Sequence, residues 1–110
     1  MFDDDLARRI RPLVSRRDDV VEKKMFGGLA FLVGGHMAVA ASGRGGLMVR
    51  VPPERHDELL AEPGAAPMEM RGRSTPGWLR VEAGAVEDDD ELAHWVGIGV
   101  DHAGSLPPKE

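Results

Sequence analysis

Leu6, Ile10, Leu13 and Val14 recur at helical spacing between charged residues over residues 3–17, the one-sided pattern of an amphipathic helix. Asp3, Asp4 and Asp5 suit its positively polarised start. Pro12 lies inside this segment, and an interior proline loses one hydrogen bond and clashes with the preceding turn at a cost of ~3 kcal/mol. A kink or an end is therefore expected near Arg11. From residue 22 the pattern changes. Segments 22–26, 29–34, 36–42 and 46–51 are short, rich in strand-forming residues and separated by glycine, which predicts an antiparallel meander. Gly34-Gly35 fits a two-residue hairpin turn, and Ser42-Gly43-Arg44-Gly45-Gly46 a longer one. Alternation then puts Leu47, Val49 and Val51 on the core face and Met48 and Arg50 on the other.

Pro52-Pro53 ends that strand and opens a short helix over residues 53–61, since proline at a first helical position gives up only an unpartnered donor. Glu62-Pro63-Gly64 stops it. Residues 67–71 read as a short strand and 72–77 as a loop, from their Gly, Pro, Ser and Thr content. Residues 78–82 form a clearer strand, with Leu79 and Val81 on one side and Trp78, Arg80 and Glu82 on the other. Over residues 88–105, Leu92, Trp95, Val96, Gly99, Val100 and Ala103 make an apolar stripe, continued by Leu106, behind an acidic first turn, the signature of a helix packed on the sheet. Gly97 and Gly99 each weaken it by up to ~1 kcal/mol relative to alanine, a cost tolerated where a helix approaches another backbone. Pro107-Pro108 prevents continuation.

These elements describe one α+β domain over residues 1–110. Hydrophobic residues at 42% and charged residues at 30% are ordinary globular values. The chain has no cysteine, which removes disulfides and thiolate catalysis and fits a reducing compartment, so cytoplasm is expected. The acidic N-terminus is unlike a signal peptide, and no apolar run reaches the ~20 residues of a spanning helix. The net charge of −5 is uneven: residues 1–83 hold 13 Lys/Arg against 12 Asp/Glu, and residues 84–110 hold 1 against 7. An acidic C-terminal segment repels phosphate, so nucleic-acid affinity would need a local basic patch.

Candidate chemistry is sparse. His94 and His102 are eight residues apart on one helix, a separation of ~12 Å that does not make a ligand pair, and His94 is expected to pair with Asp90 or Glu91. The acidic clusters sit where helix starts favour negative charge. No serine stands in a nucleophile elbow. Gly43-Arg44-Gly45-Gly46 lacks the lysine and the following helix of a phosphate loop and reads as a hairpin turn. No catalytic residue, metal or cofactor is expected. Met48, Arg50, Trp78 and Arg80 are the candidate interaction surface: they alternate away from the inferred core, and Trp and Arg favour interface centres and also stack on bases. Either this face meets a partner, or the inserted or terminal helix covers it and Trp78 joins the core.

Taken with Lys24-Met25-Phe26-Gly27-Gly28, Leu47-Met48-Val49-Arg50-Val51, Pro63-Gly64-Ala65, Gly77-Trp78 and the acidic start of the last helix, the order of elements resembles the N-terminal domain of the TfoX/Sxy family. The resemblance implies a secretion-chaperone-like fold: a helix, an antiparallel sheet of about five to six strands with a short inserted helix, and a terminal helix on the sheet. Full-length relatives carry a second, helical domain and are associated with competence for DNA uptake; this chain looks like a stand-alone version. Phe26, Leu29, Phe31 and Val33 are expected to build the sheet. Together these readings point to a non-enzymatic regulatory or adaptor domain with a protein partner, a second copy included (homodimer), and no membrane. The alternative is a nucleic-acid-binding module using Lys23, Lys24, Arg44, Arg50, Arg71, Arg73 and Arg80.

Overall fold

Leu6, Ala7, Ile10 and Val14 form the buried side of helix α1 (Asp4–Val14). The structure, a computed structural model, describes residues 4–15, 17–25, 27–43, 45–70 and 73–107; Asp3, Phe26, Arg44, Arg71, Gly72 and Pro108, named above, lie outside the described residues. α1 runs through Pro12 and ends at Val14, three residues past the end expected near Arg11 and short of residue 17. Pro12 is exposed and in the last turn, so its ring meets solvent and the missing N–H removes one bond from a helix that ends two residues later.

Six strands form one antiparallel sheet: β1 (Val20–Met25), β2 (Gly28–Val33), β3 (His36–Ala41), β4 (Leu47–Arg50), β5 (Ala65–Met70) and β6 (Arg73–Val81), in the order β1-β2-β3-β4-β6-β5. Val33 pairs with His36 across Gly34 (φ 59) and Gly35 (φ 88), the doubly positive turn whose twist matches a hairpin. Gly28 is demanded by crowding: a Cβ there would lie 2.2 Å from the Ala41 carbonyl oxygen.

Residues 73–77 are strand, where a loop is expected from composition. Met70 pairs with Arg73 and Glu69 with Ser74, the register then shifts, and pairing resumes at Pro67 and Leu79. Pro76 lies beyond the last β4 pair, Arg50 with Trp78, so it owes β4 no hydrogen bond, and the irregularity absorbs the surplus residues of β6. The Gly77 carbonyl still accepts from the Val51 amide at 2.8 Å.

The inserted helix is a 3-10 turn (Pro53–Arg55) followed by α2 (His56–Leu60), which buries Leu59. A second 3-10 turn (Ala83–Val86) seats Val86 in the core. Helix α3 (Asp89–Ser105) is capped by Asp88, whose carboxylate accepts from the amides of Asp90 and Glu91 at 2.7 and 3.2 Å. Its buried residues are Leu92, Trp95, Val96, Gly99 and Ala103, the stripe legible in the sequence. β3 carries one extra residue, Ala38, against β2, which lets both Ala38 and Val39 turn towards α3. At Gly99 a Cβ would lie 2.4 Å from the Ala38 carbonyl oxygen.

The main core is one-sided. Leu29, Phe31, Val39, Leu47, Val49, Leu79 and Val81 face buried residues of α1, α2 and α3, each large apolar side chain contributing about 1.5–3 kcal/mol. No helix of the described residues is long and apolar enough to cross a membrane.

Candidate interaction surface

On the other side of the sheet the alternating residues of β2, β3, β4, β5 and β6 meet one another and, among the described residues, no helix. Ala30, Ala40, Met48 and Met68 are buried there, with Leu32, Met37 and Trp78 packed on them half-buried. Every helical residue of the main core belongs to the opposite layer. Trp78 is therefore sheltered by strand neighbours, and neither α2 nor α3 lies over it.

The register brings the four sequence-selected residues together. Arg50 stands opposite Trp78 and Met48 opposite Arg80, so the two arginines occupy diagonal positions, ~7–8 Å apart by strand geometry. Arg50 lies 5.3 Å from the centroid of the Trp78 ring, within reach of the ring's negative face. Arg80 donates to Ser42 Oγ at 3.3 Å and to the Gly45 carbonyl at 3.0 Å. Met48 differs from the other three: only 6% exposed, it supplies the floor between the arginines.

Leu32, Met37 and Met68 complete the face without having been singled out in the sequence. Leu32 was legible, since it alternates with Phe31 and Val33. Met37 was not, because the extra residue Ala38 reverses the alternation before Val39 and no composition signal marks it. Val21, opposite Leu32 on β1, is 60% exposed at the margin. Of the basic set proposed for nucleic acid, Lys23 pairs with Ala30 and Lys24 with Leu29, so these neighbours point to opposite sides of the sheet.

The histidines are engaged separately. His36 Nε2 donates to the Pro107 carbonyl at 2.7 Å, and His56 Nδ1 accepts from the Gly77 amide at 3.2 Å. His94 contacts Glu62 at 2.9 and 3.2 Å, in place of the expected Asp90 or Glu91, because its side of α3 meets the turn that follows α2. Burial, and secondarily the Arg50 charge, hold the His102 imidazole below its ordinary range, so at pH 7 it adds little positive charge near Arg50. Among the described residues no group of three or more His, Cys, Asp or Glu is placed to hold a metal ion. Arg80 also lines an open cleft of about 560 Å3 with Gly45, Gly46, Gly64, Ala65 and Glu82. The described lining offers one guanidinium, one carboxylate and backbone groups, with no nucleophile beside a base.

A family model described as TfoX N-terminal domain matches residues 12–103 of the 110. No curated protein and no solved structure matches the chain.

Proposed function

The chain belongs to the TfoX N-terminal domain family, and from that premise we propose that it is a small regulatory or adaptor domain that works through protein contact and not through catalysis. The observation that carries this reading is the helix-free face of the sheet. An apolar floor of Ala30, Ala40, Met48 and Met68 is rimmed by Trp78 and Arg50 stacked together and by Arg80. Half-buried Trp and Arg around an apolar centre are the composition of an interface core, and the described cleft lining offers no acid, base and nucleophile team. The partner class includes a second copy of the chain.

Affinity capture with the intact protein as bait tests the reading. A protein retained by wild type is expected to be lost with Trp78→Ala, whose unfolding curve is displaced by the lost packing but still shows a folded protein under the capture conditions. Retention of the same partner by both baits, or capture by wild type of nuclease-sensitive material alone, would overturn it.

A further inference from the structure

The arginines whose side chains the structure describes divide into two groups. Arg8, Arg9, Arg11, Arg17 and Arg55 are each paired with a carboxylate: Asp5, Asp89, Glu22, Asp19 and Glu58. Among the described residues Arg50 and Arg80 have no such partner, and both stand on the helix-free face, diagonal to one another across Met48. A shortage of acids does not explain this, since Asp and Glu outnumber Lys and Arg by 19 to 14. Glu82 lines the cleft beside Arg80 with no ion pair between them, and six other acids lie on α3 and the turn before it, at Glu87, Asp88, Asp89, Asp90, Glu91 and Asp101.

Both guanidinium groups are nevertheless held in place. The Trp78 ring supports Arg50. Two neutral acceptors fix Arg80 and leave its charge intact, spending two of its five donor hydrogens. Two positioned cations beside an apolar floor form a surface complementary to carboxylates that carry an apolar side chain between them. Diagonal strand positions are ~7–8 Å apart at the backbone, and Arg80 leans towards Gly45, away from Arg50 over Trp78. A matching segment therefore carries its two carboxylates at least one helical turn (~6 Å) or two strand positions (~6.6 Å) apart at its own backbone, with the side chains splayed.

We propose that the helix-free face docks an acidic segment of a partner protein, with two carboxylates on Arg50 and Arg80 and an apolar side chain between them against Trp78 and the Met48 floor. This deepens the protein-contact reading above and rests on it. A peptide is favoured over nucleic acid because a long polyanion must also approach the acidic layer of α3, whereas a short segment meets only the local cations.

The test titrates the intact protein with synthetic amphipathic peptides carrying Glu at i and i+4 around Leu or Trp, followed by amide chemical shifts. Oligo-dT and the Glu→Gln peptides serve as comparators. Shifts are expected on β3, β4 and β6, with affinity falling as salt rises, and Arg50→Gln and Arg80→Gln are each expected to weaken binding about tenfold, the size of one charge-assisted hydrogen bond. Equal binding of the Glu and Gln peptides, oligo-dT binding without peptide binding, or variants that fold and bind like wild type would overturn the inference. The capture experiment separates the two levels. A partner lost with Trp78→Ala but kept by the Arg50→Gln/Arg80→Gln double variant overturns the acidic segment alone, while a wild-type bait that retains no protein overturns the contact reading beneath it.

Discussion

At the scale of single residues, two glycines two positions apart on α3 answer to different constraints. A Cβ at Gly99 would meet the Ala38 carbonyl oxygen at 2.4 Å and Val39 Cγ1 at 2.9 Å, whereas a Cβ at Gly97 meets nothing within 4 Å. Gly99→Ala must push α3 off β3, a change expected to cost about 1–3 kcal/mol, the usual range for overpacking. Gly97→Ala relieves a helix of its weakest residue and is expected to add up to ~1 kcal/mol. Denaturant titration of the two variants measures both, and equal effects would contradict the packing. The sequence already suggested a close approach for this glycine pair. Which glycine makes it depends on the extra residue in β3, and no local pattern around Ala38 announces that. The Gly27-Gly28 pair was similar: its place at a strand start was legible, but the contact that forbids a side chain at Gly28 is with Ala41, across a hairpin.

At the scale of elements, α1 and β1 are tied by a two-point contact. Arg11 donates to both Glu22 oxygens, at 2.8 and 3.0 Å, and this contact holds the Glu22 carboxyl below its ordinary value. A lowered folded pKa means the unfolded chain binds the proton more readily, so the stabilisation is present above the usual glutamate range and is lost as pH falls through the folded value. Glu22→Gln is therefore expected to lower the unfolding midpoint slightly at pH 7 and to leave it unchanged near pH 2. The effect is small because both side chains are well exposed. Thermal unfolding of the two proteins across pH checks it, and a constant difference at all pH values would contradict it. Element type was mostly legible because periodicity carried it. The misses lie where composition opposed tertiary pairing: Pro12 continued a helix, and Ser74 joined a strand because β5 supplies a partner in Glu69, with Gly77 held from the other side by Val51, partners that loop-like residues cannot reveal.

At the scale of the whole molecule, the uneven charge of the sequence becomes two layers, the acidic α3 on one side of the sheet and, among the described residues, Arg50 and Arg80 without carboxylate partners on the other. That division was legible in outline, since the net negative charge gathers after position 84 and alternation around Leu47 and Leu79 separates the faces. The sheet order was not, and it matters because it decides which strands are edges. β5 is one edge, and it carries Pro67 and an irregular register, both of which discourage another strand. β1 is the other, six residues without proline in regular register with β2, and its Val21 is 60% exposed. Self-association across a sheet edge, one form of the proposed contact, is thus expected at β1, where antiparallel pairing would join two sheets and place their arginine faces side by side. Lys23 and Lys24 oppose it by like-charge repulsion, so the dimer should strengthen as salt rises, the reverse of the salt dependence expected for acidic peptides. Val21→Asp is expected to return the chain to monomer in sedimentation at micromolar concentration. The same substitution should leave peptide binding at Arg50 and Arg80 in place, since Val21 lies at the margin of that face. A dimer that survives Val21→Asp and dissociates with Trp78→Ala would place the contact on the open face of the sheet and not on its edge.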